Sequence, residues 1–499
     1  MDIFLAALDA SFTWQSVAAL VFGTVFGLIF GAIPGLTYSM ALALVLPMTF
    51  GMSPVTAVAT MIATYIGGAT GGTISAILIG VPGTPSSAAT VMDGYALARA
   101  GKASLTLGVS VVVSTIGGIF SLAIMLVSVD FLARVALAFG PAEISALVIF
   151  GLSTICGLAE GSLLRGLIGG FLGLMIMTVG QDPIDAFQRF TFGTTTLLQG
   201  VDLLVAMIGL FAMPQVVATF ADWRRGREIE IGSSNVSVEL PTPRYLLPHW
   251  WNITRSSIIG TLIGAIPGTG GPIAAFLAYD QAKRFSKHPE RYGKGEMGGV
   301  IAPETANNAV TGGAMIPLLG LGIPGDPATA IILGGLLIHG IQPGPLLFSE
   351  KPDIVMGIYI LFAAAYILVT VIQMFGIRLF VLALRIRPHL LAVCILIMCV
   401  VGSYAIRNTL FDVVAMAVIG FVGYLLGLAR IPVAPVLLGL VLGPTLEREF
   451  RTALILSEGS YSIFFSSLPS TLFLSLAVLI IGMQAVASLR NRPAQAQQA

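Results

Sequence analysis

Apolar positions in this chain fall in long unbroken runs, not in strand-like alternation. Residues 105–129, 354–375 and 464–489 are the clearest. Each exceeds the roughly 20 residues that a helix needs to cross a bilayer core. Strands of a membrane barrel would alternate instead. Polar sequence interrupts the pattern most strongly at residues 222–252. There Trp223-Arg224-Arg225-Gly226-Arg227 precedes a Ser/Asn/Glu-rich stretch and Pro241, Pro243 and Pro248. This reads as a linker between two halves, 1–221 and 253–489. Its basic cluster favours the cytoplasmic side. Runs of plain helices are expected at 104–220 and 354–489, and a disordered Gln/Ala-rich tail at 490–499.

Inside the apolar sequence one pattern occurs twice. Gly31-Ala32-Ile33-Pro34-Gly35 recurs as Gly264-Ala265-Ile266-Pro267-Gly268. Gly80-Val81-Pro82-Gly83-Thr84-Pro85 is followed by its counterpart Gly322-Ile323-Pro324-Gly325-Asp326-Pro327. The offsets are 264 − 31 = 233 and 322 − 80 = 242. The extra nine residues match a polar loop at 285–295. Pro removes a backbone donor and Gly weakens a helix. Such breaks survive in lipid only where protein or a water-filled cavity satisfies the freed groups. Paired breaks in two halves of a membrane protein point to a transport site between them.

The first pair of motifs predicts helical hairpins at 17–50 and 255–285, with Pro34-Gly35 and Pro267-Gly268 at their tips. Residues 256–266 would cover only about 16 Å, half the hydrocarbon core, which favours re-entrant hairpins. The second pair predicts discontinuous helices unwound around 82–85 and 323–327, the latter resuming over 328–347. The basic loop of Lys283, Arg284, Lys287, Arg291 and Lys294 has no equivalent after the first hairpin. The hairpins are therefore expected to enter from opposite faces, as inverted repeats.

Composition fixes the class. Of 499 residues, 56% are hydrophobic and only 10% charged, against about 25% charged in soluble domains. The chain is expected to be an all-α polytopic membrane protein with 10–12 transmembrane helices besides the hairpins. A net charge of +1 gives no case for nucleic acid. Three cysteines and four scattered histidines form no metal or disulfide pattern. No cofactor is expected, and a Gly-x-x-x-x-Gly-Lys-Ser/Thr nucleotide loop does not occur. An intramembrane aspartyl protease would pair Tyr-Asp with Gly-x-Gly-Asp. Tyr279-Asp280 is present, but Ile323 stands where the second motif needs glycine.

The breaks also carry chemistry. Thr84-Pro85-Ser86-Ser87 and Asp326-Pro327-Ala328-Thr329 each place an N-cap residue before a proline at the first helical position. Ordinary capping explains both. Such N-termini also aim free N–H groups at the break, where they can hold an anion without lysine or arginine. Thr84, Ser86, Ser87, Gly83, Gly325, Asp326 and Thr329 are thus candidate substrate contacts. Residues 302–313 form the most polar stretch of an apolar helix. Glu304, Asn307, Asn308 and Thr311, with Thr70 in the matching first-half segment, offer oxygens to a hard cation such as Na⁺. Interhelical hydrogen bonding is the plainer reading. Glu304 is expensive if deep in the bilayer.

The motifs at 31–37, 71–78, 80–85 and 302–309 resemble the large membrane subunit, TctA, of the bacterial tripartite tricarboxylate transporters. The resemblance spans nearly the whole chain. It implies an ion-gradient-driven permease of the inner membrane, with Na⁺ the leading coupling ion and H⁺ the second. A periplasmic binding protein (TctC-like) would deliver a carboxylate such as citrate, and a small four-helix subunit (TctB-like) would be its membrane partner. The linker and C-terminus would be cytoplasmic. Carboxylate carriers with paired hairpins imply by analogy an elevator movement. Pro34, Gly35, Thr37, Pro267 and Gly268 would then approach the substrate. A passive anion channel is the rival, since broken helices line pores too.

Overall fold

A computed structural model describes residues 2–158, 163–182, 184–224, 237–384 and 388–495. The first half runs α1 (Asp2–Ser11), α2 (Trp14–Ala32), α3 (Tyr38–Val45), α4 (Pro54–Leu78), α5 (Ala88–Leu97) and α6 (Ala103–Ala136). After α7 (Pro141–Leu158) and α8 (Leu163–Met177) comes a two-stranded antiparallel pair, β1 (Gly180–Gln181) and β2 (Gln188–Arg189), then α9 (Leu203–Arg224). The second half runs α10 (Pro243–Leu246), α11 (Trp250–Ala265), α12 (Gly270–Arg284), α13 (Gly298–Leu321), α14 (Pro327–Ile338), α15 (Leu347–Glu350) and α16 (Pro352–Ala383). It ends with α17 (Pro388–Arg407), α18 (Leu410–Leu428), α19 (Val433–Leu456) and α20 (Leu468–Gln495).

The chain is a polytopic helical membrane protein. Among the described residues seven helical stretches are long and apolar enough to cross a membrane, and five shorter apolar helices accompany them. α13 is 24 residues long and almost wholly buried, yet it is not one of the seven. Its polar load is what disqualifies it.

Several elements differ from expectation. α14 stops at Ile338, short of residue 347, because Gly340 (φ +69°), Pro343 and Gly344 (φ +135°) end it. The stretch between α8 and α9 interrupts the helices expected over 104–220. α11 begins at Trp250, so that arm has 16 residues, or about 24 Å. α2 has 19 and qualifies as a span by itself. α20 continues to Gln495, into the stretch expected to be disordered. Residues 225–236 of the linker and 496–499 of the tail lie outside the described residues.

Contacts divide the chain into two compact units, each drawn from both halves: Met1–Ala133 with Gln215–Gly402, and Arg134–Pro214 with Ser403–Ala499. In the first unit the four broken or turning elements form one buried body. Glycines let backbones touch there. A Cβ on Gly27 would stand 2.4 Å from the Thr64 carbonyl oxygen, and one on Gly31 2.3 Å from that of Gly68. A Cβ on Gly260 would stand 2.2 Å from the Ala306 oxygen, and one on Gly264 2.6 Å from that of Val310. The partners correspond: 260 − 27 = 233 and 306 − 64 = 242, the offsets of the motifs themselves.

In the second unit α8 and α19 pack as closely, a Cβ on Gly173 falling 2.0 Å from the Val436 oxygen. Ion pairs tie the β1–β2 segment to α19: Arg189 to Glu447 at 2.5 Å, Arg451 to Asp182 at 2.7 Å, and Arg451 to Asp185. The Asp182 carboxyl is held down at about 2 by the backbone N–H groups of Asp185 and Ile184 and by Arg451.

Candidate functional site

The tips and breaks are built as their sequence requires. Gly35 (φ +89°) and Gly268 (φ +84°) turn the hairpins in the left-handed region, which glycine enters without steric cost. Gly80 (φ +71°) and Gly322 (φ +72°) end α4 and α13 in the same conformation. Gly83 and Gly325 then pass where no side chain fits. A Cβ on Gly83 would lie 2.1 Å from the Gly31 oxygen, and one on Gly325 2.5 Å from the Gly264 oxygen. Each break is thus pressed onto the first arm of its own hairpin. The second joint is also bonded, Gly268 N–H donating to the Gly325 carbonyl at 2.7 Å.

The two helix starts differ in charge. At α14 the Asp326 carboxylate caps its own helix, accepting from Thr329 N–H at 2.7 Å and from the Thr329 hydroxyl at 2.8 Å. The Asp326 N–H in turn donates to Thr329 Oγ1 at 2.9 Å. Tyr65 of α4 donates to the other carboxylate oxygen at 2.6 Å, and the Tyr65 ring lies against Tyr38 at 5.7 Å between centroids. At the first break the corresponding residue is neutral. Ser87 donates to the Thr84 carbonyl at 2.8 Å. Thr84 Oγ1 and Ser86 Oγ are buried, both residues 1% exposed; Thr84 forms a capping box with Ser87, and Ser86 lies beside the Tyr38 hydroxyl. Ser86 faces Gly271 in the first turn of α12: a Cβ there would stand 2.6 Å from Ser86 Oγ and 2.6 Å from Asn307 Oδ1. One hairpin arm, the first break and the middle of α13 therefore meet at this point.

The polar stretch of α13 forms two connected clusters. Asn308 Oδ1 accepts from Thr70 at 2.9 Å, and its amide donates to the Glu304 carbonyl at 3.1 Å. Thr311 and Tyr366 of α16 converge on the Asn308 carbonyl at 2.7 and 2.9 Å. Asn307 donates to the Ala69 carbonyl at 2.9 Å. Glu304, fully buried, accepts from Thr73 at 2.5 Å on one oxygen and from Thr90 at 2.5 Å on the other, with Ser114 at 3.5 Å. Among the described residues no ion pair reaches it.

Most of the residues singled out in the sequence lie in this body. Thr37 caps α3, accepting from Met40 N–H at 3.2 Å. The side chain nearest Gly35 is Gln215. Sequence reasoning missed Tyr65, Tyr366, Thr73, Thr90 and Ser114. Tyr65 had a signal, since 307 − 242 = 65 makes it the counterpart of Asn307. Asp93 was also missed. Its buried carboxylate accepts from the N–H groups of Gly293, Gly295 and Glu296 and from Tyr279, tying α5 to the loop before α13.

The family model for the tripartite tricarboxylate transporter TctA family matches residues 17–438. Two proteins of Agrobacterium vitis are similar. One, an uncharacterized 52.8 kDa protein in the TAR-I ttuC' 3' region, is 34% identical over 418 residues, 84% of this chain and 83% of its own length. The other, an uncharacterized protein in the TAR-II ttuC' 3' region, is 37% identical over 233 residues, 47% of this chain and 96% of its own. No solved structure matches.

Proposed function

The chain belongs to the tripartite tricarboxylate transporter TctA family, and from that premise we propose that it is the permease subunit of a secondary, cation-driven uptake system for tricarboxylates or related carboxylates. The family is one of transporters, not enzymes. The observation that carries the reading is the first break. Two buried hydroxyls, Thr84 and Ser86, stand with no charged side chain of their own at the start of a helix. A helix start leaves N–H groups without intrahelical partners and carries partial positive charge. A carboxylate oxygen placed there gains donors from both sources without a lysine or arginine.

The matched glycine contacts of the two hairpins support treating the halves as copies of one module, inverted as the basic loops imply. The Thr70–Asn308–Thr311–Tyr366 network is the oxygen-rich set proposed to take part in Na⁺ coupling. An elevator movement, inner-membrane placement with a cytoplasmic linker and C-terminus, and assembly with TctB- and TctC-like partners complete the proposal on family grounds. Counterflow in proteoliposomes containing the assembled system tests it. A carrier exchanges labelled citrate against its gradient. Passive equilibration without exchange would make the protein a channel.

A further inference from the structure

In the first unit the end of the linker, the start of α6 and the loop before α13 enclose a cavity of about 610 Å³, and none of its lining residues belongs to either break. Its walls are fixed from several sides. The Glu239 N–H donates to the Ser104 carbonyl at 3.1 Å, and the Glu239 carbonyl leaves no room for a Cβ on Gly108, so the linker lies hard against α6. The Asp93 carboxylate accepts from the N–H groups of Gly293, Gly295 and Glu296, which pins the loop to α5. Between α5 and α6 the chain makes one π turn, Ala98–Lys102, with Gly101 at φ +80°. Such turns are rare and are frequent at functional sites.

The lining combines charge with apolar surface. Lys102 enters from the π turn, and Arg291 and Lys294 enter from the loop. Among the described residues no carboxylate pairs with any of the three. The two acids of the lining have other neighbours: Glu290 lies 3.4 Å from His288 Nδ1, and Glu296 stands near Tyr245 and His249. Leu97, Leu105 and Met297 form the apolar side of the cavity. Trp250 and Trp251, just after Tyr245, are exposed and stand edge to face, as suits tryptophans at a membrane–water boundary.

We infer that this cavity binds the headgroup of an anionic phospholipid from the adjoining leaflet. The lipid phosphate takes its donors from Lys102, Arg291 and Lys294, the arginine fork being suited to two phosphate oxygens at once. The glycerol end lies against Leu97, Leu105 and Met297. Basic pockets at the ends of membrane helices hold lipid phosphates by the same forces. A free phosphate would use the three cations and leave the apolar side bare. The bound headgroup joins the α5–α6 connection to the start of α13. The site is separate from the breaks and does not depend on the transport reading.

Thermal unfolding of the purified full chain in a neutral detergent tests the site, because a ligand of the folded state raises the unfolding temperature. The chain is titrated separately with phosphatidylglycerol, phosphatidylcholine and inorganic phosphate. Expected is a saturable rise with phosphatidylglycerol and none with the other two. Arg291→Ala/Lys294→Ala should move the phosphatidylglycerol midpoint about tenfold or more to higher lipid, as the loss of a charge-assisted hydrogen bond does. Lys283→Ala/Lys287→Ala removes the same charge close by in the chain but outside the cavity, and should leave the midpoint where it is. Equal weakening in the two double variants reduces the effect to general surface charge and overturns the site. A response to phosphatidylcholine as strong as that to phosphatidylglycerol, or a rise with inorganic phosphate alone, overturns the lipid. If the Arg291/Lys294 variant fails to fold, Lys102→Ala reads the same midpoint from the opposite wall, and an unmoved midpoint there overturns the site.

Discussion

Removing the two buried hydroxyls at the first break separates a binding site from a packing detail. Thr84→Val and Ser86→Ala each delete a buried hydroxyl, Thr84's in a capping box with Ser87 and Ser86's beside the Tyr38 hydroxyl. Losing one neutral hydrogen bond costs about 0.5–1.5 kcal/mol. Each variant should therefore unfold only slightly below the wild type. If these hydroxyls donate to a substrate carboxylate, each variant loses a bond to a charged group, about 1.5–3 kcal/mol. That is a rise in KM of about 10- to 150-fold, at tenfold per 1.4 kcal/mol. Thr311→Val is the contrast. Its hydroxyl bonds both the Asn308 carbonyl and Tyr366, so its loss should lower stability. The assay pairs thermal unfolding in detergent with initial rates of labelled citrate uptake. An unchanged KM for Thr84→Val and Ser86→Ala would refute the reasoning.

Gly83→Ala and Gly325→Ala should each force a hairpin backbone aside, since the new methyl would stand 2.1 or 2.5 Å from a carbonyl oxygen. Overpacking costs about 1–3 kcal/mol, visible as a lower unfolding temperature and lost uptake. Asp93→Ala strands the N–H groups of Gly293, Gly295 and Glu296, and faster hydrogen exchange across 293–296 should report it. Asn308→Ala should weaken the dependence of uptake on Na⁺ more than it lowers protein abundance; normal abundance with unaltered Na⁺ dependence removes Asn308 from coupling. The depressed Asp182 carboxyl stabilises its turn fully above the unfolded value near 4. That contribution is lost as pH falls through about 2. Exchange at the Ile184 and Asp185 amides should accelerate over that window and not at neutral pH.

The breaks were legible because proline and glycine leave local marks, and a duplicated mark carries its own control. Where a helix ended on such marks without repetition, as at Gly340–Gly344 after α14, the apolar run hid the stop. The polar face of α13 was legible as composition, but its partners were not. Thr73 and Thr90 lie 231 and 214 residues from Glu304 in the chain, and a hydroxyl in an apolar helix looks the same whether it bonds its own turn or a distant acid. Asp93 could not be read either, since a carboxylate after a break signals nothing until a loop 200 residues later folds over it.

The unusual polarity of α13 also bears on how the protein enters its membrane. A segment carrying Glu304, Asn307 and Asn308 is a poor substrate for insertion alone, since a central carboxylate opposes partition by about 2.5–3.5 kcal/mol on the biological scale. The hydroxyls that receive it are synthesised first, on α4, α5 and α6. The first half must therefore wait in the bilayer, open on one flank, until α13 emerges. Order of synthesis makes the first half a template for inserting the second, and a truncated chain ending before residue 298 should be a target for membrane quality control.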